Sequence, residues 1–380
     1  MIQFPDNLTK QQFLDNYWQK QPVLFKSALD EAEQLISKEQ LFALSLDDRV
    51  ESRLLLENGP EHPWQTFHGP QEPEQLEALS TSTHWTLLVQ SVNLWLEKCQ
   101  TLLNEFDFIP QWRQDDIMIT FATDQGSVGP HIDQYDVFLI QLTGSRRWTV
   151  AKADAEIETA IEIPQIKQVK PFEASIDETL NPGDMLYIPP NRAHHGVNLE
   201  DGMTLSVGFR SPELSEMLML LAEQLMTDES CSFYKDSPLT ATSHATEISA
   251  AAMTKAANWI ADLEQYEVLK RKSFGLLQTQ PKQELLLDLP PYPLKDYLQG
   301  RFLLHRDPSA RVAWHQAAED EVWLFINGEC FERSIDELDW IKFISTENSL
   351  SSEHLADLVI KKKFIILLEI FVETGLFGLK

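Results

Sequence analysis

A chain of 380 residues, 43% of them hydrophobic, has material for two or three cored domains and is neither fibrous nor disordered in composition. Acidic side chains outnumber basic ones 59 to 31, giving a net charge of −28. That field disfavours direct nucleic-acid binding by the whole surface and favours a basic protein or cationic ligand, although it also serves solubility alone. The opening MIQFPDNLTKQQF lacks the basic-then-apolar order of a signal peptide, and the apolar run 364–372 is too short to span a bilayer and contains Glu369. Cys99, Cys231 and Cys330 are scattered, without CxxC spacing. They argue against a disulfide frame or zinc knuckle, so a cytoplasmic protein with no membrane attachment is expected.

In chain order, residues 7–26 predict a short helix carrying Phe13, Tyr17 and Trp18, then a strand, VLFK. Residues 80–104 mix strong helix formers with aromatics and predict a second helix. From about Asp116 the texture changes to short strands: IMITFA, YDVFLIQL, RRWTVA, MLYIPP and MTLSVGFR. Glycine- and proline-containing turns separate them, a pattern of a β-barrel or double-sheet sandwich. After Pro212 the chain turns helical: ELSEMLMLLAEQLM, whose methionines suit a packing face, then a polar stretch over 228–246 and a second helical segment over about 247–277. Such helices can form an independent bundle or a dimer interface. Beyond LPPYPLKDY, RVAWHQ and EVWLFINGECFE predict strands, the latter a hairpin turning at Asn327–Gly328. Two helices close the chain, SSEHLADLV from serine caps and KKKFIILLEIFVETGLF. The lysines at 361–363 are expected to be a solvated helix start, and His305 and His315 lack ligand spacing.

The stretch GPHIDQYDVFLIQLTGSRRW, residues 129–148, carries the chemistry. His131 and Asp133, at i and i+2, project from one face of an extended strand and can each give one bond to a divalent metal. His194, after MLYIPP, supplies a third donor. Two histidines and one carboxylate with open positions form the ligand set of non-heme Fe(II) oxygenases. An ordinary surface His–Asp hydrogen bond has the same local pattern. Alternation along RRWTVA puts Arg146, Trp148 and Val150 on one face and Arg147 on the other, and the apolar company of Arg146 marks its face as the inner one. A buried guanidinium requires a partner. A distant Asp or Glu can supply it, and so can a carboxylate ligand.

The combination of GPHIDQYDVFLIQLTGSRRW, LNPGDMLYIPPNRAHHGV and SVGFRSP resembles the JmjC/cupin 2-oxoglutarate oxygenases, in particular their bacterial ribosomal-oxygenase branch. The likeness runs nearly end to end. It implies an α+β chain built on a double-stranded β-helix (the cupin/JmjC jelly roll) over 1–211, a helical dimerisation segment over 212–280 and a winged-helix-like domain over 281–380. It implies Fe(II) held by His131, Asp133 and His194, and 2-oxoglutarate held at its distal carboxylate by Arg146. It further implies a homodimer that hydroxylates an arginine of a basic large-subunit ribosomal protein, with 2-oxoglutarate decarboxylated to succinate. The stretch 129–148 then reads as a hairpin with the iron ligands on one arm and Arg146 on the other. Two positions depart from the pattern. His195 follows His194 where relatives carry an acidic residue, and Thr204 stands where relatives can carry an amide. For an arginine substrate, a carboxylate and an aromatic face are wanted. Tyr135, sharing parity with the iron ligands, and Asp124, on the glycine-rich loop, are the candidates, while Asp136 is expected to brace the outer layer. Two other readings compete: a histidyl hydroxylase of a ribosomal protein, and a non-catalytic cupin regulator with a winged-helix end.

Overall fold

A computed structural model describes residues 2–5, 8–57, 64–163, 166–227, 233–236, 246, 248–359 and 361–380. Cys231 and most of the polar stretch 228–246 lie outside the described residues. The chain divides into two compact units, Met1–Ser211 and Pro212–Lys380.

The first unit starts with helix α1 (Lys10–Asn16), strand β1 (Val23–Phe25), helix α2 (Lys38–Ser45), strands β2 (Ser52–Leu56) and β3 (Gln65–His68), helix α3 (Pro73–Ala78), strand β4 (Trp85–Val89) and helix α4 (Glu97–Asn104). It continues with β5 (Gln114–Ala122), β6 (His131–Ile132), β7 (Val137–Thr143), β8 (Arg146–Ala151), β9 (Thr159–Ile163), β10 (Ile166–Val169), β11 (Ala174–Leu180), β12 (Met185–Ile188), β13 (Ala193–Asn198) and β14 (Gly202–Phe209). Among the described residues one sheet runs β1-β12-β7-β14-β5-β4-β2-β3 and a facing sheet runs β11-β8-β13-β6. Successive strands β5, β6, β7 and β8, and then β11 to β14, alternate between the two sheets. That alternation is the double-stranded β-helix.

The apolar run of β7 is buried on both faces, so it reads as continuous rather than alternating. Phe138, Ile140 and Leu142 enter the large core that α1, α2 and α4 cover, whereas Val137 and Leu139 join Trp148, Val150, Leu186 and Ile188 inside the barrel. A capping box from Thr9 and Gln12 starts α1, which delivers Phe13 to the large core with no exposed surface.

Two sequence expectations change here. Residues 80–104 are not one helix: Trp85–Val89 is a strand with every residue buried between β2 and β5, and only Glu97–Asn104 is α-helical. Leucine favours helix locally, but pairing on both edges and burial on both faces override a weak propensity. The stretch 129–148 is also not a hairpin. Strand β7 pairs with β12 and β14, and β8 with β11 and β13, so the turn 143–145 crosses from one sheet to the other.

In the second unit, helices α5 (Leu214–Thr227), α6 (Ala250–Ala261) and α7 (Glu267–Thr279) precede α8 (Leu294–Tyr297). Then come β15 (Leu303–Arg306), β16 (Val312–Gln316), β17 (Glu321–Ile326), β18 (Glu329–Ser334), α9 (Leu338–Thr346), β19 (Ser349–Ser351), α10 (Lys362–Glu373) and β20 (Phe377–Gly378). Helices α5 and α7 pack together, with Gln224 Nε2 donating to Ser273 Oγ at 2.7 Å. Helix α7 also lies against β16, β17 and β18, so this helical segment is not a free-standing bundle. The β17–β18 hairpin turns at Asn327 and Gly328, with φ of 48° and 84°, the left-handed pair that a two-residue turn demands. The SSEHLADLV helix is absent: residues 352–359 form successive turns that seat Leu355 in the core. No described helix is long and apolar enough to cross a membrane.

A candidate metal centre in the jelly-roll mouth

Strand β6 is only two residues long, yet its pairing builds the site. His131 lies directly opposite His194 on β13, with ring centroids 4.3 Å apart. Asp133 follows at the start of a bend, its carbonyl fixed by the Asn191 N–H at 2.8 Å. Asp133 Oδ2 is 3.6 Å from His194 Nε2 and 3.9 Å from His131 Nε2, so the three donors converge on a space one ion can fill. Both imidazoles are oriented for that role. His131 Nδ1 is 2.9 Å from Gly129 O and His194 Nδ1 is 2.9 Å from Arg192 O. A carbonyl only accepts, so each Nδ1 carries the proton and each Nε2 turns its lone pair inward. His194 is buried, while the side chains of His131 and Asp133 stay 25% and 20% exposed, which leaves one side of the site open.

Arg146 stands in the same interior, on β8 opposite Asn198, with its guanidinium 4.7 Å from the Trp148 ring. Trp148 in turn lies 5.9 Å from the His194 ring. Arg146 is 3% exposed and donates from Nη2 to Gly196 O at 3.2 Å; its Nε and the neighbouring Trp148 Nε1 are buried without acceptors. No carboxylate among the described residues pairs with it, and burial lowers its pKa to about 10. Arg147 points to the other face and takes Asp177 in two contacts of 2.7 and 2.6 Å. Gly196 makes room for this arrangement: a Cβ there would come within 2.5 Å of Arg146 Nε and 2.8 Å of the Trp148 ring. Orphaned donors around a buried cation form a cradle for an anionic, oxygen-rich ligand. The donor set and this cradle fit a divalent iron and a dicarboxylate bound side by side.

The other predicted residues fall in different places. Tyr135 lies on the bend 134–135 rather than on a strand. It is 40% exposed, and the Asp133 carboxylate lies near enough to act on its hydroxyl. Burial, then the charges of Asp133 and Asp116, push its pKa well above the ordinary phenol value. Asp124 is not brought to the metal ligands. Its N–H bonds Asp201 Oδ1 and its carboxylate takes Gln125, beside the β13–β14 connection at the far end of the barrel. A loop glycine run gave no information about which barrel end it occupies; only strand direction does. Asp136 is fully buried and accepts from Arg113, Gln19 and Tyr187, which holds the bend that carries Asp133 and Tyr135. Thr204 donates to Gln141 Oε1 at 2.9 Å inside the barrel. Sequence reading missed Asp115 and Asp116, which open β5 near Tyr135; the paired acids at the start of a predicted strand were the available signal.

Burial lowers the pKa of His194 to about 4, with His131 adding to the effect, and that of His195 to about 4, with Arg146 adding to it, from an ordinary 6.5. Between 6.5 and 4 the unfolded chain binds protons that the metal-free native state does not. Stability present above 6.5 is therefore lost as pH falls toward 4. Urea melts of the metal-free protein should show a midpoint that declines through this window, and His195→Gln should flatten part of the decline. A midpoint independent of pH there contradicts the neutral, buried assignment.

Comparison with known proteins agrees with this geometry. Residues 101–217 match the JmjC domain family and residues 236–370 match the ROXA-like winged helix. The chain is 34% identical over 369 residues to the Escherichia coli ribosomal protein uL16 3-hydroxylase, covering 96% of this chain and 95% of that one. The chain belongs to the ribosomal oxygenases. This ribosomal oxygenase also superimposes on the structure of Escherichia coli YcfD, a ribosomal oxygenase in complex with cobalt and 2-oxoglutarate. The TM-score is 0.77 at 33% identity, over 98% of both chains. A more distant relative, the Drosophila persimilis bifunctional lysine-specific demethylase and histidyl-hydroxylase NO66, is 26% identical over 131 residues, 32% of this chain and 18% of that one. The enzyme is a 2-oxoglutarate-dependent oxygenase of the JmjC class.

Proposed function

We propose that this ribosomal oxygenase hydroxylates an arginine side chain of ribosomal protein uL16, with Fe(II) held by His131, Asp133 and His194 and 2-oxoglutarate anchored by Arg146. The observation that carries the reading is the buried Arg146, without a carboxylate partner among the described residues, in the same interior as three converging metal donors. Bound iron with 2-oxoglutarate and O2 supplies the oxidising chemistry, with succinate and carbon dioxide as co-products. The chain's own part is placement. Arg146 would neutralise and orient the distal carboxylate, and the Trp148 ring, 4.7 Å from the Arg146 guanidinium and 5.9 Å from the His194 ring, fills the interior between them. The Asp136 network with Arg113, Gln19 and Tyr187 holds the bend that carries Asp133 and Tyr135.

Arginine is favoured over histidine by what surrounds the open side. Tyr135, 40% exposed, offers an aromatic face, which suits a guanidinium, always charged, better than a neutral imidazole. The net charge of −28 suits a basic ribosomal partner in the same way. We further propose that the protein is a cytoplasmic homodimer joined through the helical segment 212–280, with 281–380 as the winged-helix-like part. The support is apolar surface left open on that segment: Leu214, Met219 and Met226 on α5 are 73%, 65% and 87% exposed, and Ile260 on α6 is 68% exposed.

Purified uL16 incubated with the enzyme, Fe(II), 2-oxoglutarate and O2 should gain one oxygen atom on an arginine, located by tandem mass spectrometry. The same arginine should be unmodified in ribosomes from a deletion strain. Oxygen found on a histidine instead overturns the residue assignment, and no gain on any uL16 residue overturns the substrate.

A further inference from the structure

We propose that Ser127, together with His195, is a positioning hub that couples the metal-ligand loop to the cosubstrate arginine. The proposal rests on the metal and cosubstrate reading above. Ser127 is 6% exposed and its single hydroxyl makes three contacts. Its Oγ donates to Gly196 O at 2.7 Å, accepts the Gly129 N–H at 2.9 Å and meets His195 Nε2 at 3.1 Å. A serine hydroxyl has one proton, and the shortest contact, to a carbonyl that only accepts, uses it. His195 Nε2 is therefore the donor in the third contact. The departure at position 195 thus has a place: His195 donates to Ser127.

Two arms leave this hydroxyl. Along one, Gly129 is held by its N–H to Ser127 Oγ, and its carbonyl receives the Nδ1–H of His131 at 2.9 Å. The position of that carbonyl sets the direction of His131 Nε2, so the hub aims a metal ligand. Along the other, Gly196 O receives both the Ser127 hydroxyl and Arg146 Nη2, at 2.7 and 3.2 Å. A shift of the Gly196 carbonyl is felt by the guanidinium that holds the far carboxylate. One buried hydroxyl thus joins the iron side of the pocket to the cosubstrate side. Outer partners of metal-bound imidazoles change metal affinity by about 10- to 100-fold when removed. Linkage requires that whatever 2-oxoglutarate does to metal affinity, the metal does to 2-oxoglutarate affinity.

The test is a Co(II) titration followed by visible absorption, with and without 2-oxoglutarate, on the full-length protein. Wild type, Ser127→Ala, His195→Leu and His195→Gln are compared, with circular dichroism melts of each. Ser127→Ala and His195→Leu should bind Co(II) about 10- to 100-fold more weakly and lose most of the tightening that 2-oxoglutarate gives. His195→Gln, whose amide N–H can donate to the same oxygen, should stay within about threefold of wild type. If Ser127→Ala does not fold, the Leu and Gln variants at 195 still decide the matter. Unchanged Co(II) binding and unchanged 2-oxoglutarate linkage in His195→Leu overturn the proposal, as does an equal loss in His195→Gln. A wild-type protein that binds no Co(II) overturns instead the metal reading beneath it.

Discussion

Arg146→Met should leave the ligand-free enzyme as stable as wild type or more stable, while raising the 2-oxoglutarate requirement by about 100-fold. The two halves of this result have one cause. In the ligand-free protein Arg146 is a buried cation with one carbonyl partner, and Nε has none. Replacing an unpaired buried charge by an apolar side chain of similar length removes a desolvation penalty and so favours the ligand-free fold. The same exchange deletes the charge-assisted contact to a carboxylate, worth about 1.5–3 kcal/mol for a hydrogen bond to a charged group. Thermal melts with and without 2-oxoglutarate separate the effects: wild type should gain stability from the ligand and Arg146→Met should not. A variant that melts well below wild type without ligand, yet binds 2-oxoglutarate normally, would assign Arg146 to the fold and sink the cosubstrate role.

Asp133→Ala should lower metal affinity by about a thousandfold or more and abolish uL16 hydroxylation with little change in fold. Asp133 is the only carboxylate in the converging set, and both histidine Nε2 atoms face it, at 3.6 and 3.9 Å. Its backbone carbonyl still accepts from Asn191 when the side chain is cut, so the turn after β12 keeps its anchor on the bend. Equilibrium dialysis with Co(II) measures the affinity and mass spectrometry of uL16 measures turnover. Retention of both in Asp133→Ala would remove His131 and His194 from the metal assignment as well.

The alternation in RRWTVA was enough to separate Arg146 from Arg147, because a strand has period two whatever it packs against. The helix-then-strand opening, the 327–328 turn and the change of texture after Pro212 were legible for similar local reasons. WTLLV was misread because its leucines favour helix in isolation and only its neighbours β2 and β5 make it a strand. The hairpin assigned to 129–148 failed because a three-residue turn is compatible both with a hairpin and with a corner between sheets. Asp124 ends up apart from the metal donors because a loop residue's position along the barrel axis depends on the direction of β5.

By itself the sequence determined the residue types that meet the chemistry: two histidines and an aspartate for a metal, an inward arginine for a carboxylate, and strands short enough to close a barrel. Those follow from donor chemistry and from periodicities of one or two residues. Tertiary structure decided which donors converge, since His131 and His194 are 63 residues apart and meet only through the pairing of β6 with β13. It also decided that Arg146 meets no acid among the described residues and that Ser127 holds both arms of the site. These depend on how distant segments pack, and the free energy that selects them comes from burying the whole barrel rather than from any segment alone.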